Sequence, residues 1–113
     1  MTESVVQQVV EVADAAALRR LIGEPERPIL VLFDAAWYAP GQRIAATLAR
    51  LSAGSAVTLA RLDVDRLPGE ARRFGVNAVP TLLLFRFGEV AARRLGEVAE
   101  ADLQDWLTAE CLA

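Results

Sequence analysis

Two rhythms of apolar residues alternate along this chain. Residues 5–12 are rich in valine and predict a first strand, near a sheet edge because Gln7 and Gln8 interrupt it. Leu18, Leu21 and Ile22 share one helical face, with Asp14 placed to cap that helix and Gly23 to stop it. A turn over residues 24–28, with two prolines that cannot continue a helix, leads into residues 29–33. That run is apolar without alternation, the mark of a central strand covered on both faces. Pro40 suits the first turn of a second helix, where its missing N–H is not needed. Ile44, Leu48 and Leu51 follow at helical spacing, and Gly54 ends the run. Residues 57–64 read as a strand, 67–74 as a short helix between Pro68 and Gly75, and 82–85 as another strand. Phe87, Gly88 and Glu89 turn the chain into a strand over 90–95, making an antiparallel hairpin. The closing helix spans 100–112, with Leu103, Trp106 and Leu107 facing inward.

The predicted order is β-α-β-α-β-α-β-β-α. Strands alternating with helices imply a largely parallel sheet with helices on both faces, and the hairpin adds antiparallel strands. The fold class is therefore α/β, a central mixed sheet of about five strands flanked by about four helices. No repeat, low-complexity tract or linker divides the 113 residues, which read as a single domain over 1–113.

Composition narrows the function. With 54% hydrophobic and 24% charged residues the chain is globular rather than disordered. All 12 cations are arginine, a bias that fits a GC-rich bacterial coding sequence. Without histidine the commonest general base and metal ligand near neutral pH is missing, so neither a metal nor a cofactor is expected. A net charge of −3 with no basic stripe makes nucleic acid a poor partner. The single cysteine, Cys111, excludes an internal disulfide and a cysteine-based zinc cage. The first residues are polar and acidic, unlike a signal peptide, and no apolar run is long enough to span a bilayer. A cytoplasmic protein with no membrane partner is the expectation.

The segment Trp37-Tyr38-Ala39-Pro40-Gly41-Gln42 lies between the central strand and the second helix. This order of elements, with Trp-x-x-Pro ahead of that helix, resembles the thioredoxin family over nearly the whole chain, from about Val5 to Leu112. Pro28-Ile29-Leu30-Val31 resembles the family's central strand, and Ala60-Arg61-Leu62-Asp63-Val64-Asp65 its third strand. Arg73-Phe74-Gly75-Val76-Asn77-Ala78-Val79-Pro80-Thr81-Leu82 is similar to the segment that carries the family's cis-proline, so the Val79–Pro80 bond is expected to be cis. Phe85 to Val90 resembles the family's hairpin, and Leu95-Gly96 the loop facing its active site.

The family's motif is Trp-Cys-Gly-Pro-Cys-Lys. By that resemblance Tyr38 stands in place of the attacking cysteine and Gly41 in place of the resolving one. Disulfide exchange needs a thiolate at the first and a thiol at the second, and neither a phenol nor a hydrogen substitutes. The family's buried aspartate corresponds to Leu32, where an apolar residue is the more stable choice once the chemistry has gone. Asp34 stands where the family has an aromatic and reads as a solvated or helix-directed carboxylate. Ala46 replaces a proline that kinks the second helix, which should run straighter. The losses fall on chemistry, while Trp37, Pro40, Pro80, Gly88 and Gly96 keep the shape.

Two functions follow from the resemblance. One is a redox-inactive, accessory or chaperone-like protein, monomeric or weakly dimeric, that binds a protein or an extended peptide. Its surface would be Trp37, Tyr38, Ala39, Pro40, Val64, Ala78, Val79, Pro80 and Gly96. The other is a thiol–disulfide oxidoreductase in cell redox homeostasis working through Cys111. Helical spacing from Leu103 and Leu107 puts Cys111 on the apolar face, where cysteine usually packs as a small hydrophobe. An exposed Cys111 near Pro80 would favour the second function.

Overall fold

The computed structural model describes residues 7–96 and 99–112. A five-stranded mixed sheet runs through the middle, in the order β1-β3-β2-β4-β5. The elements in chain order are β1 (Val9–Glu11), α1 (Ala15–Ile22), β2 (Ile29–Asp34), α2 (Pro40–Leu51) and β3 (Thr58–Asp63), then α3 (Pro68–Arg73), β4 (Thr81–Arg86), β5 (Glu89–Leu95) and α4 (Glu100–Ala109). β1 and β2 pair with β3 in parallel, and β4 pairs antiparallel with β2 and β5. The mixed sheet and the four helices are those expected from the apolar rhythm.

β2 is the axis of the sheet, and all six of its residues are buried. Alternation along it divides the core. Leu30 and Leu32 face α2 and α4, packing with Ile44, Leu48, Leu103 and Leu107. Val31 and Phe33 face the other side, packing with Leu18, Ile22, Ala71 and Val76. Leu32 is only 2% exposed, as its place in mid-strand requires.

Local chemistry sets the ends. Asp14 caps α1 by accepting the Ala17 N–H at 2.7 Å. Phe87 and Gly88, both at positive φ, form the hairpin tip between β4 and β5. α2 runs unbroken through Ala46. The Val79–Pro80 bond is cis. No helix among the described residues is long and apolar enough to cross a membrane.

Three expectations need correction. The first strand is shorter than 5–12: residues 5 and 6 lie outside the described residues, and Gln7 is used differently. Its side-chain amide donates to the carbonyls of Ser55 and Val57, at 3.0 and 2.9 Å, so it ties down the α2–β3 loop ahead of β1. The closing helix stops at Ala109 rather than 112. Cys111 adopts a left-handed conformation (φ 63°), its N–H donates to the Thr108 carbonyl, and the Leu112 N–H donates to the Leu107 carbonyl. That pair of bonds is a Schellman cap, in which the residue after the left-handed one folds back onto the core. Leu112 therefore takes the inward place at 2% exposure, and Cys111 is exposed rather than packed.

Candidate functional site

The loop after β2 reverses twice over a few residues. Tyr38 N–H donates to Ala35 O at 3.0 Å, and Gly41 N–H to Tyr38 O at 3.1 Å, so α2 begins at once. The two neighbouring aromatics part company there. Trp37 is 69% exposed, and its indole N–H donates to Asp65 Oδ2 at 2.8 Å. Asp65 is itself held by a turn in which its N–H donates to Asp63 Oδ1 at 2.8 Å. Tyr38 points to the other face, half-buried against the α2–α4 core, with its ring edge-on to Trp37 at 6.3 Å.

A groove of about 360 Å³ opens beside Trp37, between the loop, α3 and the segment before Pro80. Trp37, Val64, Ala78 and Val79, four of the expected residues, line it. The other expected residues are not among its described walls. Tyr38 is turned inward, Ala39 and Pro40 begin α2, Pro80 is buried, and Gly96 lies beyond, donating its N–H to Pro80 O at 3.0 Å. The remaining walls come from α3 and its exit: Pro68, Ala71, Arg72, Val76 and Asn77. The spacing of Pro68, Ala71 and Arg72, three and four residues apart, already put them on one helical face. What the sequence did not say is that this face looks at Trp37.

Beneath the loop lies a polar constellation. Asp34 is 1% exposed, not solvated. Its Oδ1 accepts the Ala35 N–H at 2.7 Å. Its Oδ2 accepts Arg61 Nε at 2.7 Å, and Arg61 Nη2 stands 2.5 Å away. Arg61 Nη1 continues to Gln42 Oε1 at 2.9 Å, in the first turn of α2. The expectation of a solvated carboxylate is corrected by this pairing. A helix-directed carboxylate is what forms, since the start of α2 is the positive end of its dipole. A signal was available. Asp34 ends a strand buried throughout, and a charge in that place needs a partner. Arg61, in a β3 run otherwise apolar at residues 59, 60 and 62, was the cation at hand.

Gly41 completes the arrangement. A Cβ built there would overlap Oδ1, Oδ2 and Cγ of Asp34, so the carboxylate occupies the space a side chain at 41 would need. Cys111 lies elsewhere. The carbonyl of its neighbour Glu110 accepts Arg86 Nη2 at 2.7 Å, and Arg86 is the last residue of β4 while Pro80 precedes its first.

Comparisons with known proteins agree on one family. The thioredoxin family model matches residues 8–109. The thioredoxin of Mycobacterium tuberculosis is 35% identical over 105 residues, covering 91% of this chain and 90% of that protein. The thioredoxin of Rhodospirillum rubrum is 32% identical over 101 residues, covering 88% and 96%. Among solved structures, a variant thioredoxin from Halobacterium salinarum superposes with a TM-score of 0.79 at 28% identity, covering 96% of this chain and 95% of its own. With a mixed five-stranded sheet, four helices, a cis-proline and Trp-x-x-Pro at the start of α2, the chain belongs to the thioredoxin family and has its fold.

Proposed function

We propose that this chain binds an extended segment of another protein, without covalent chemistry, through the groove beside Trp37. The groove carries the proposal: an exposed indole fixed by Asp65 stands against the apolar walls of Val64, Ala71, Val76 and Val79. A domain of this size holds an extended segment by apolar burial and a few backbone hydrogen bonds, and neither needs a thiol. Tyr38 and Gly41 at the motif's cysteine positions support a redox-inactive, accessory or chaperone-like role. The proposed setting is the cytoplasm, with the chain a monomer or weak homodimer.

Without a covalent intermediate, the expected Kd is roughly micromolar. A reduced and carboxymethylated, permanently unfolded protein is a suitable probe, followed by backbone and indole chemical shifts. Shifts should concentrate at Trp37, Ala78 and Val79. Trp37→Ala should weaken binding about tenfold, Tyr38→Ala should weaken it less, through loss of the ring edge-on to Trp37, and Cys111→Ser should leave it unchanged. Shifts confined to α4 around Leu103 would make the groove a relic.

A second reading is favoured by the relatives' names and by the exposed thiol: disulfide exchange through Cys111. Insulin reduction with dithiothreitol separates the two. The first reading expects the uncatalysed rate. Thioredoxin-like activity abolished by Cys111→Ser would establish the second.

A further inference from the structure

We infer that Asp34 and Gly41 form one interlocked unit, in which the Asp34 carboxylate fills the seat of the resolving thiol and closes that seat to any side chain. Such closure is independent of whether a peptide binds in the groove.

In the family's pattern the buried acid belongs at position 32. Here it stands two residues further along β2, at Asp34. A strand's period of two keeps it on the same face, toward α2, while carrying it about 7 Å nearer the loop. There it meets Gly41, itself buried in the first turn of α2. A carboxylate ends a short side chain and would ordinarily swing aside for a neighbour. This one is held at both oxygens, Oδ1 by Ala35 and Oδ2 by Arg61, and Arg61 is steadied by Gln42. Moving it means breaking an ion pair at a site with 1% exposure. Glycine at 41 is therefore required by Asp34, although alanine is the better helix former. Cysteines placed at 38 and 41 would not by themselves restore a dithiol site, because the carboxylate would also have to leave.

The test is a packing cycle read by thermal midpoint. Gly41→Ala should lower the midpoint on the order of 5 °C or more in the wild-type chain. In an Asp34→Ala/Arg61→Met background, which removes both charges together, the same change should be neutral or raise the midpoint. Equal effects in the two backgrounds overturn the interlock. A second measurement needs only the single variant: the Arg61 Nε–H resonance, protected from exchange in the wild type, should lose protection in Gly41→Ala. A Gly41→Ala chain with wild-type midpoint and wild-type Arg61 signal also overturns it. Gly41→Ala that fails to fold, while folding in the charge-free background, supports it.

A chemical arm uses Cys111→Ser/Tyr38→Cys/Gly41→Cys with oxidised glutathione. The thiolate at position 38 displaces one glutathione thiolate and forms a mixed disulfide. A thiolate at 41 would attack that bond, release the second glutathione and close a 38–41 disulfide. By mass spectrometry the mixed disulfide should persist while Asp34 is present, and collapse to the closed form when Asp34→Ala/Arg61→Met is added. Equally fast closure with Asp34 in place overturns the inference.

Discussion

Leu32→Asp should destabilise the protein by about 2–5 kcal/mol at pH 7, the cost of a carboxylate in a dry core. Leu32 is 2% exposed, and its cross-strand neighbours are Arg61 on β3 and Leu82 on β4. Arg61 is thus within reach of the new acid, but it is already committed to Asp34 and Gln42. One guanidinium charge cannot neutralise two buried carboxylates. The new carboxyl group should therefore titrate above its unfolded-state value. With that sign the folded state binds the extra proton, so the penalty is full above the folded-state pKa and fades as pH falls toward the unfolded value of about 4. Urea titrations of both proteins between neutral and acid pH would show the two stabilities converging as pH falls. Adding Asp34→Ala to Leu32→Asp should recover part of the loss, because Arg61 is then free to pair with the acid at the family's usual position. Equal stability of Leu32→Asp and wild type at pH 7 would mean that Leu32 is not in a dry core.

Arg61→Ala is expected to cost about 3–5 kcal/mol, the usual consequence of orphaning a buried ion. Among the described residues Asp34 would keep only the Ala35 N–H, at 1% exposure, and Gln42 would lose the donor that ties α2 to β3. Asp34→Ala/Arg61→Met should be much less damaging than Arg61→Ala, since exchanging a buried pair for apolar groups is often close to neutral. A double-mutant cycle in urea, with Arg61→Met and Asp34→Ala as its two single-variant corners, measures the coupling. The surface pair Arg50–Glu100, with both side chains 54% exposed, serves as the contrast: breaking it should change stability by less than about 1 kcal/mol. A loss from Arg61→Ala no larger than that from Arg50→Ala would mean that Asp34 is hydrated.

These two results bear on what kind of site this is. The loop keeps the backbone path that brings Trp37 to the groove. Under it, a carboxylate–guanidinium–amide relay joins the end of β2, the middle of β3 and the start of α2. The relay holds Asp34 at both carboxylate oxygens, which fixes the loop above it.

The sequence by itself determined the architecture. Apolar runs at residues 29–33 and 82–85 had to be central strands, because every residue in them avoids water. The periodic faces of α1, α2 and α4 had to turn toward those strands. Turn chemistry fixed the hairpin at Phe87–Gly88 and the end of α3 at Gly75. The degenerate motif was legible as well, since Tyr38 and Gly41 are read directly beside Trp37 and Pro40. Tertiary structure decided what spacing along the chain cannot express. Cys111 fits the apolar helical period, yet a left-handed cap three residues early gives its inward place to Leu112. Trp37 and Tyr38 are adjacent in sequence, but the tight turn sends one to the α3 groove and the other to the α2–α4 core. Asp34 reads as a solvated or helix-directed carboxylate, and only β3 lying beside β2 brings Arg61, 27 positions away, to it and decides between the two. Periodicity reports which side of its own element a residue takes. Which partner waits there is set by the packing of elements distant in sequence, and at Asp34 and Gly41 that packing decides the chemistry.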